Sequence, residues 1–157
     1  MIGIMGGTFD PIHYGHLRPA FETARALGLE RLHVVPCGEP PHRAAPRTAA
    51  GHRLEMAKIA CAGEPRFHVD DREVGRGGPS YTVDTLRELR GEYGSERPLC
   101  LILGLDAFRA LEGVSKLRPG DRSRMNSAAV RIGASLPYVE AAAAPSQVQP
   151  ARGRRRT

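Results

Sequence analysis

The sequence predicts an α/β fold in which an open parallel sheet carries crossover helices. Strand-like and helix-like patterns alternate through residues 1–111, the order that builds parallel sheets. Residues 99–103, Leu-Cys-Leu-Ile-Leu, are apolar throughout, as in strands buried on both faces. The predicted strands are residues 1–5, 32–36, 67–69 and 99–103, and the predicted helices are residues 15–27, 49–62 and 80–93.

The first predicted elements have clear local signals. The strand at residues 1–5 is short and apolar, and Gly6 and Gly7 interrupt it. The first helix has apolar residues at helical spacing and is expected to stop at Gly28. The strand at residues 32–36 reads Leu-His-Val-Val-Pro and leads into a proline-rich loop. Together these signals predict a first strand–helix–strand unit.

The two later helices are predicted from their apolar faces. The helix at residues 49–62 has an apolar set formed by Leu54, Met56, Ile59 and Ala60. The helix at residues 80–93 is predicted to be capped by Ser80. Its inward-facing residues are predicted to be Val83, Leu86 and Leu89. Each helix therefore has one face suited to packing on the sheet.

The pattern changes after Leu111. Arg, Ala, Pro, Gly and Ser take over, and no convincing strand follows. Residues 1–111 carry 14 basic and 14 acidic side chains, whereas residues 112–157 carry 9 basic and 3 acidic ones. We therefore predict an α/β domain over residues 1–111 and a divergent basic tail over residues 112–157, expected to be poorly ordered. The strand at residues 99–103 would then keep an uncovered edge, which is an aggregation hazard.

Composition excludes several classes of protein. No apolar run reaches the length of about 18 residues that a membrane span needs, and residues 1–10 show no leader pattern, so we expect a cytoplasmic protein. The three cysteines, Cys37, Cys61 and Cys100, form no C-x-x-C and predict neither disulfides nor a metal site. Because the basic excess lies in the tail, nucleic acid is not an expected partner. Oligomeric state cannot be read from the sequence.

Residues 6–17, Gly-Gly-Thr-Phe-Asp-Pro-Ile-His-Tyr-Gly-His-Leu, carry the chemistry. Adjacent Gly6 and Gly7 allow the backbone to turn sharply and approach a phosphate. Gly15 is expected to leave space between the histidines and a nucleotide. His13 and His16 lie at the start of a helix, where the dipole favours anions, so both can donate hydrogen bonds to a nucleotide α-phosphate. The alternative, in which the two histidines only pack or bind zinc, suits the surrounding loop less well.

Four segments together resemble a known family. Residues 13–16 resemble the H-x-G-H motif of the nucleotidyltransferase superfamily, and residues 6–17 resemble its nicotinate-mononucleotide adenylyltransferase branch. Pro-Pro-His-Arg at 40–43, Gly-Pro-Ser-Tyr-Thr-Val-Asp-Thr-Leu at 78–86 and Gly-Leu-Asp-Ala-Phe at 104–108 resemble further motifs of that branch, in the same order. The resemblance covers residues 1–111 and implies a Rossmann-like nucleotidyltransferase fold whose C-terminal part is missing or divergent.

The resemblance implies adenylyl transfer from ATP to nicotinate mononucleotide, which gives deamido-NAD and pyrophosphate in NAD biosynthesis. ATP and nicotinate mononucleotide would be the partners, with Mg²⁺ expected on the phosphates. The resemblance implies that His16 and His13 bind the α-phosphate, and that Gly6, Gly7, Thr8 and Phe9 contact the nucleotide. It implies that His42 and Arg43 lie near the substrate phosphate. Tyr81 and Thr82 would contact the nicotinate end, and Asp106 would contact the mononucleotide.

The chain departs from the family pattern beyond residue 111. The family continues with tryptophans and an Ile-Ser-Ser-Thr-x-Ile-Arg segment that holds ATP phosphates, whereas this chain has no tryptophan. Residues 126–131 resemble that segment only faintly, and no role is carried onto Arg131. We therefore expect little turnover from this chain. The alternatives are a non-catalytic nucleotide-binding remnant and another adenylyltransferase of the superfamily, such as one acting on phosphopantetheine.

Overall fold

Five parallel strands form the sheet in the part of this protein that the structure describes. The computed structural model describes residues 1–41 and 45–104, and the backbone of residues 127–132. The strands are β1 (Ile2–Gly7), β2 (Arg31–Pro36), β3 (Phe67–Val69), β4 (Leu99–Gly104) and β5 (Ser127–Ile132). The helices are α1 (Tyr14–Ala26), α2 (Ala50–Cys61), α3 (Arg72–Arg76) and α4 (Thr82–Tyr93). None of the described helices is long and apolar enough to cross a membrane.

The strand order places β1 at the point where the chain changes direction across the sheet. The order is β3-β2-β1-β4-β5, and every pairing is parallel. From β1 the chain proceeds to β2 and β3 on one side, and then returns to β4 on the other side. In open α/β sheets, a crevice for ligands forms at such a switch point, outside the carboxyl ends of the strands. The carboxyl end of β1 is therefore the expected place for a ligand.

The two faces of the sheet carry separate apolar cores. On one face, Ala20 and Ala24 of α1 and Ala57 of α2 pack against strand residues that include Leu32 and Val34. The second core is formed by Ile2, Ile4, Val35, Leu86, Leu89, Leu99 and Leu101, of which Leu86 and Leu89 belong to α4. Helices thus cover both faces, which explains why β4 is apolar along its whole length. The predicted open parallel sheet with crossover helices is confirmed.

A buried polar network joins β2, β3 and α4. His33 Nδ1 lies 2.7 Å from Asp70 Oδ2, and His33 Nε2 lies 2.8 Å from the Tyr93 hydroxyl. Arg72 pairs with Asp70 at 2.7 Å and with Glu92 at 2.9 Å. Burial acts against the charged carboxylate, but hydrogen bonds from His33 and Arg72 hold the pKa of Asp70 well below its usual range. The network therefore fixes the end of β3 against α4.

Several predicted elements differ in detail from the structure. Gly6 and Gly7 do not interrupt β1 but are its last two residues. Helix α4 begins at Thr82, and Ser80 does not cap it, because its hydroxyl is bonded to a distant loop. The helix α3, which the sequence analysis did not predict, is only five residues long. A helix of one turn leaves too little periodicity to be recognised in a sequence.

The apolar face predicted for α2 is also wrong. Its buried residues are Arg53, Leu54, Ala57 and Cys61, whereas Ile59 is 78% exposed. Small apolar side chains occur on all sides of this helix, so the pattern alone does not select a face. The face that contacts the sheet is set by tertiary packing, and it contains an arginine.

The expectation of no strand beyond Leu111 is wrong as well. Residues 127–132 form β5, which pairs with β4 in parallel register from Leu99 with Ser127 to Gly104 with Ile132. The edge of β4 is therefore covered. Ser-Ala-Ala-Val-Arg-Ile has few of the large apolar residues that mark a buried strand, and its extended form depends on pairing with β4. The division at residue 111 and the low order of the tail stay predictions.

Candidate active site

A tight loop at the carboxyl end of β1 forms the floor of the site. Gly6 and Gly7 pair with Val35 and Pro36 of β2. A Cβ atom on Gly7 would lie 2.5 Å from the ring of Phe9, so only glycine allows this approach. Phe9 itself is buried and has a φ of 50°, which is unusual for a residue with a side chain. The loop is thus shaped by Phe9 folding back onto Gly7.

His13 and His16 stand side by side at the start of α1. His13 precedes the helix, and its Nδ1 accepts a hydrogen bond from the Gly15 amide at 3.1 Å. His16 Nδ1 accepts one from the His13 amide at 3.3 Å. The ring centroids lie 3.9 Å apart, and His16 also meets Phe9 edge-on at 5.2 Å. A Cβ on Gly15 would lie 2.9 Å from His13 Nδ1, so Gly15 makes room for the His13 ring.

These contacts fix the tautomer that each imidazole has in its neutral form. A ring that accepts a hydrogen bond at Nδ1 carries its proton on Nε2. Burial, followed by the nearby charge of His13, lowers the pKa of His16 below its ordinary value of 6.5. At neutral pH His16 is therefore an uncharged donor through Nε2, and His13 presents a second Nε2 beside it. Among the described residues, neither Nε2 has a hydrogen-bond partner.

A carboxylate joins the loop at the end of β1 to the segment before α2. This loop, residues 6–10, is called the glycine loop. Asp10 Oδ2 accepts hydrogen bonds from the amides of Arg47 at 2.8 Å and of Thr48 at 3.3 Å. Hydrogen bonding from Thr48 lowers the pKa of Asp10 below its ordinary value. The carboxylate is therefore ionised at neutral pH and satisfied by two backbone donors. Its role is to hold the loop rather than to transfer a proton.

The segment that carries Tyr81 and Thr82 is docked onto the loop after β2. Tyr81 immediately precedes α4, and Thr82 is its first residue. Ser80 donates its amide to the Glu39 carbonyl at 2.8 Å, and its hydroxyl accepts from the Gly38 amide at 3.1 Å. Because β2 lies beside β1, these bonds bring the start of α4 to the same end of the sheet as the glycine loop. Two predicted groups of site residues thus share one edge.

A buried acid supports this segment from behind. Glu73 of α3 is 6% exposed and accepts a hydrogen bond from the Thr85 hydroxyl at 2.6 Å. Burial raises the pKa of its carboxyl group. The Glu73 carbonyl also lies 3.5 Å from the Ser80 hydroxyl. The backbone turn that presents Tyr81 is therefore bonded both to α3 and to the loop after β2.

The remaining predicted site residues are His42, Arg43 and Asp106, and they lie outside the described residues. The sequence analysis missed Arg53, Ser80 and Glu73, whose partners lie at this end of the sheet. Ser80 was interpreted only as a helix cap, and no local pattern distinguishes Arg53 from a surface arginine. The motifs that carry the resemblance include Ser80 but neither Arg53 nor Glu73.

The described residues do not fit a protein-held Mg²⁺ at the glycine loop. Mg²⁺ prefers several oxygen ligands, and Asp10, the carboxylate of this loop, is engaged by two amides. In the described part of the chain, one group of potential ligands comes together, His33, His68 and Asp70, with ligand atoms within 4.8 Å. Both nitrogens of His33 already have partners there, and Asp70 binds Arg72. Among the described residues, neither place therefore offers a vacant set of oxygen ligands for Mg²⁺.

Comparison with known proteins identifies the family. A family model described as cytidylyltransferase-like matches residues 4–132. The chain belongs to the cytidylyltransferase-like family. Two curated relatives that are similar to this chain are named probable nicotinate-nucleotide adenylyltransferase, which agrees with the resemblance found in the sequence. The relative from Halorhodospira halophila is 56% identical over 117 residues, which is 74% of this chain and 53% of the relative. The relative from Methylococcus capsulatus is 57% identical over 112 residues, which is 71% of this chain and 53% of the relative.

This cytidylyltransferase-like chain thus spans about half the length of the curated relatives it matches. Among solved structures, Plasmodium falciparum nicotinic acid mononucleotide adenylyltransferase complexed with NaAD aligns with a TM-score of 0.66 and 21% identity, covering 88% of this chain and 67% of that one. The same enzyme complexed with APC aligns with a TM-score of 0.55 and 19% identity, covering 86% and 75%. These alignments support the fold.

Proposed function

We propose that this chain carries the nucleotide-binding part of a nicotinate-mononucleotide adenylyltransferase. The reaction joins the AMP unit of ATP to nicotinate mononucleotide and gives deamido-NAD and pyrophosphate. The observation that carries the proposal is the pair of Nε2 donors, His13 and His16, at the carboxyl end of the central strand and the start of α1. The names of the curated relatives support the choice of substrate.

The chemistry needs no covalent enzyme intermediate. An oxygen of the mononucleotide 5′-phosphate attacks the α-phosphorus of ATP, and the bond from that phosphorus to the bridging oxygen breaks as pyrophosphate leaves. Negative charge on the α-phosphate oxygens must be stabilised during this displacement. Two preorganised Nε2–H donors and the dipole of α1 supply such stabilisation, and the lowered pKa of His16 favours the neutral imidazole as the donor. Positioning and electrostatics therefore perform the catalysis.

The other proposed contacts follow from the placement of the loops. Gly6 leaves the backbone open on its Cβ side, where a phosphate can approach, and Gly7, Thr8 and Phe9 are proposed to complete the nucleotide contacts. Tyr81 and Thr82, held at the same edge through Ser80, receive the nicotinate end. His42, Arg43 and Asp106 are proposed to contact the mononucleotide on the basis of the resemblance alone.

A second candidate is a nucleotide-binding remnant without catalysis. The observation that favours it lies in the sequence, where residues 126–131 resemble the ATP-binding Ile-Ser-Ser-Thr-x-Ile-Arg segment of the family only faintly. Both candidates predict nucleotide binding, and only turnover separates them. Isothermal titration of the 157-residue chain with nicotinate mononucleotide and with ATP therefore comes first, followed by a steady-state assay with both substrates and Mg²⁺. We expect binding with little or no deamido-NAD formed.

A chimera tests the assigned reaction directly. In it, the C-terminal part of the Halorhodospira halophila relative follows residue 104 of this chain, and products are followed by chromatography. We expect deamido-NAD to form, with nicotinate mononucleotide preferred over phosphopantetheine. Preferential use of phosphopantetheine would assign the chain to a different substrate class. A folded chimera that binds both nucleotides without turnover, beside an active relative, would favour the remnant.

A further inference from the structure

The buried arginine of α2, Arg53, donates hydrogen bonds to residues outside its own helix. Arg53 is 1% exposed, and its guanidinium donates three hydrogen bonds to backbone carbonyls. Nη1 lies 2.5 Å from the Thr8 oxygen, Nη2 lies 2.8 Å from the Gly38 oxygen and Nε lies 3.0 Å from the Thr48 oxygen. The three carbonyls lie in three loop segments at the carboxyl edge of the sheet: residues 6–10 at the end of β1, and residues 37–39 and 45–49 at the two ends of the connection between β2 and α2. One planar side chain thus joins segments far apart in sequence.

Asp10 reinforces the same junction from the opposite side. Thr48 donates its amide to Asp10 and accepts a bond from Arg53 at its carbonyl. Asp10 and Thr8 both belong to the glycine loop, so this loop is attached to the segment before α2 by a carboxylate and by a guanidinium. The two opposite charges interact without an ion pair within 4.0 Å, and Arg53 contributes to the lowered pKa of Asp10 after hydrogen bonding from Thr48 and Arg47.

Gly38 extends the junction to the segment of Tyr81. Its carbonyl accepts from Arg53, while its amide donates to the Ser80 hydroxyl at 3.1 Å. A Cβ on Gly38 would lie 2.3 Å from the Glu73 carbonyl, so the loop and α3 are in close contact at this point. A continuous path of hydrogen bonds therefore runs from Thr8 through Arg53 and Gly38 to Ser80, the residue before Tyr81.

A buried guanidinium is a costly way to fill space. An apolar side chain at this position of α2 would avoid the desolvation of a charge. Among the described residues, no carboxylate pairs directly with Arg53, and its compensation comes from backbone oxygens. The rigid fork of guanidinium donors can bond to several acceptors at set directions, which a flexible ammonium cannot do. The three hydrogen bonds of Arg53 are therefore suited to fixing the positions of the three loop segments.

We propose that Arg53 is a positioning residue that sets the spacing between the glycine loop, with its two histidines, and the segment that presents Tyr81. The expected effect of Arg53 on substrate binding rests on the proposed function, whereas its effect on the loop positions does not. Neither effect involves the reaction itself, and Arg53 is not a catalytic residue because its donors end on the backbone. The loops that it joins would lose their fixed spacing if the guanidinium were replaced.

Two variants of the full chain test the proposal, Arg53→Met and Arg53→Lys. Hydrogen exchange measured by mass spectrometry reports the loops at residues 6–10, 37–39 and 45–49 without any ligand. We expect exchange in all three to become about tenfold faster in Arg53→Met. Arg53→Lys, which keeps the charge, is expected to fold and to release at least one loop, because one ammonium cannot span three carbonyls. It keeps the test decisive if Arg53→Met does not fold.

Titration with nicotinate mononucleotide and with ATP is the second readout. We expect the dissociation constant of each to rise about tenfold in the Arg53 variants. The matched control is His33→Leu, which removes a buried polar side chain with two partners elsewhere in the fold and should leave both readouts at the glycine loop unchanged.

The outcomes separate the two proposals. If amide exchange in all three segments of both Arg53 variants equals that of the wild type, the positioning role is overturned. Faster exchange together with unchanged affinity for both nucleotides also overturns it. An equal loss of affinity in His33→Leu also overturns it, because general destabilisation would then explain the effect. If the unaltered chain binds neither nucleotide, the proposed function fails, while faster exchange confined to the three loops still supports Arg53 as their junction.

Discussion

Two pairs of histidines in this molecule make a useful contrast. His13 and His16 lie at the start of α1, with ring centroids 3.9 Å apart, and His33 and His68 lie on neighbouring strands, with centroids 5.1 Å apart. His33 uses both ring nitrogens, one on Asp70 and one on Tyr93. In the first pair, each ring uses Nδ1 on a backbone amide, and Nε2 has no partner among the described residues.

The contrast shows that placement, rather than residue type, separates a structural histidine from a candidate catalytic one. His33 is in the middle of β2, opposite Ile4 of β1, where any unpaired polar group would be costly. His13 and His16 follow the carboxyl end of β1, at the switch point of the sheet. His33 is satisfied within the protein, whereas His13 and His16 each keep an Nε2 donor available.

The largest effect that tests this contrast is expected from His16→Ala in the chimera described above. Losing a donor to the transition state should lower kcat by about two to three orders of magnitude. The loop and helix junction is partly exposed, so the fold should survive, as circular dichroism and thermal unfolding can verify. His68→Ala is the matched control, because it removes an exposed histidine from the other pair. Near wild-type kcat in His16→Ala would remove this residue from the phosphate site.

A stability effect without a binding effect is expected from His33→Leu. The substitution leaves the Tyr93 hydroxyl without its ring partner and deprives Asp70 of one donor, so the free energy of unfolding should fall by about 2 kcal/mol. Urea unfolding of the 157-residue chain measures it. His68→Ala should change stability by less than about 0.5 kcal/mol, as exposed substitutions do. If His33→Leu weakened nucleotide binding instead, the division between the two pairs would be wrong.

The same contrast explains what the sequence could predict. The core strands and the histidine pair are marked by short-range patterns, namely the apolar run at residues 99–103 and the glycines and histidines of residues 6–17. These features depend on residues that are close together in the chain, so a reading of the sequence finds them.

Other features depend on partners that are distant in the chain. Arg53 bonds to Thr8, which is 45 residues away, and the Ser80 hydroxyl bonds to Gly38, which is 42 residues away. Strand β5 has little apolar character of its own, and its pairing with β4 becomes visible only in the fold. No periodicity encodes such contacts, which explains why α2 was assigned the wrong face and β5 was missed.

The smallest expected effect concerns the titration of His16. Burial and the neighbouring His13 favour its neutral form, so its pKa in the free chain should lie below 6.5. Between 6.5 and that lower value, the unfolded chain binds more protons than the folded one, so this residue's contribution to stability is complete above 6.5 and is lost as pH falls below it. NMR titration of the imidazole signals measures the pKa directly.

His13→Ala tests the cause of this shift, because it removes a ring that covers part of His16 and that acts electrostatically on its pKa. We expect the pKa of His16 to move up toward 6.5 and the loss of stability below pH 6.5 to become shallower. His68→Ala, remote from this pair, should leave the His16 titration unchanged. An unaltered His16 titration in His13→Ala would mean that the two rings are not coupled in solution. The side-by-side arrangement of Nε2 donors, on which the proposed phosphate site depends, would then lose its support.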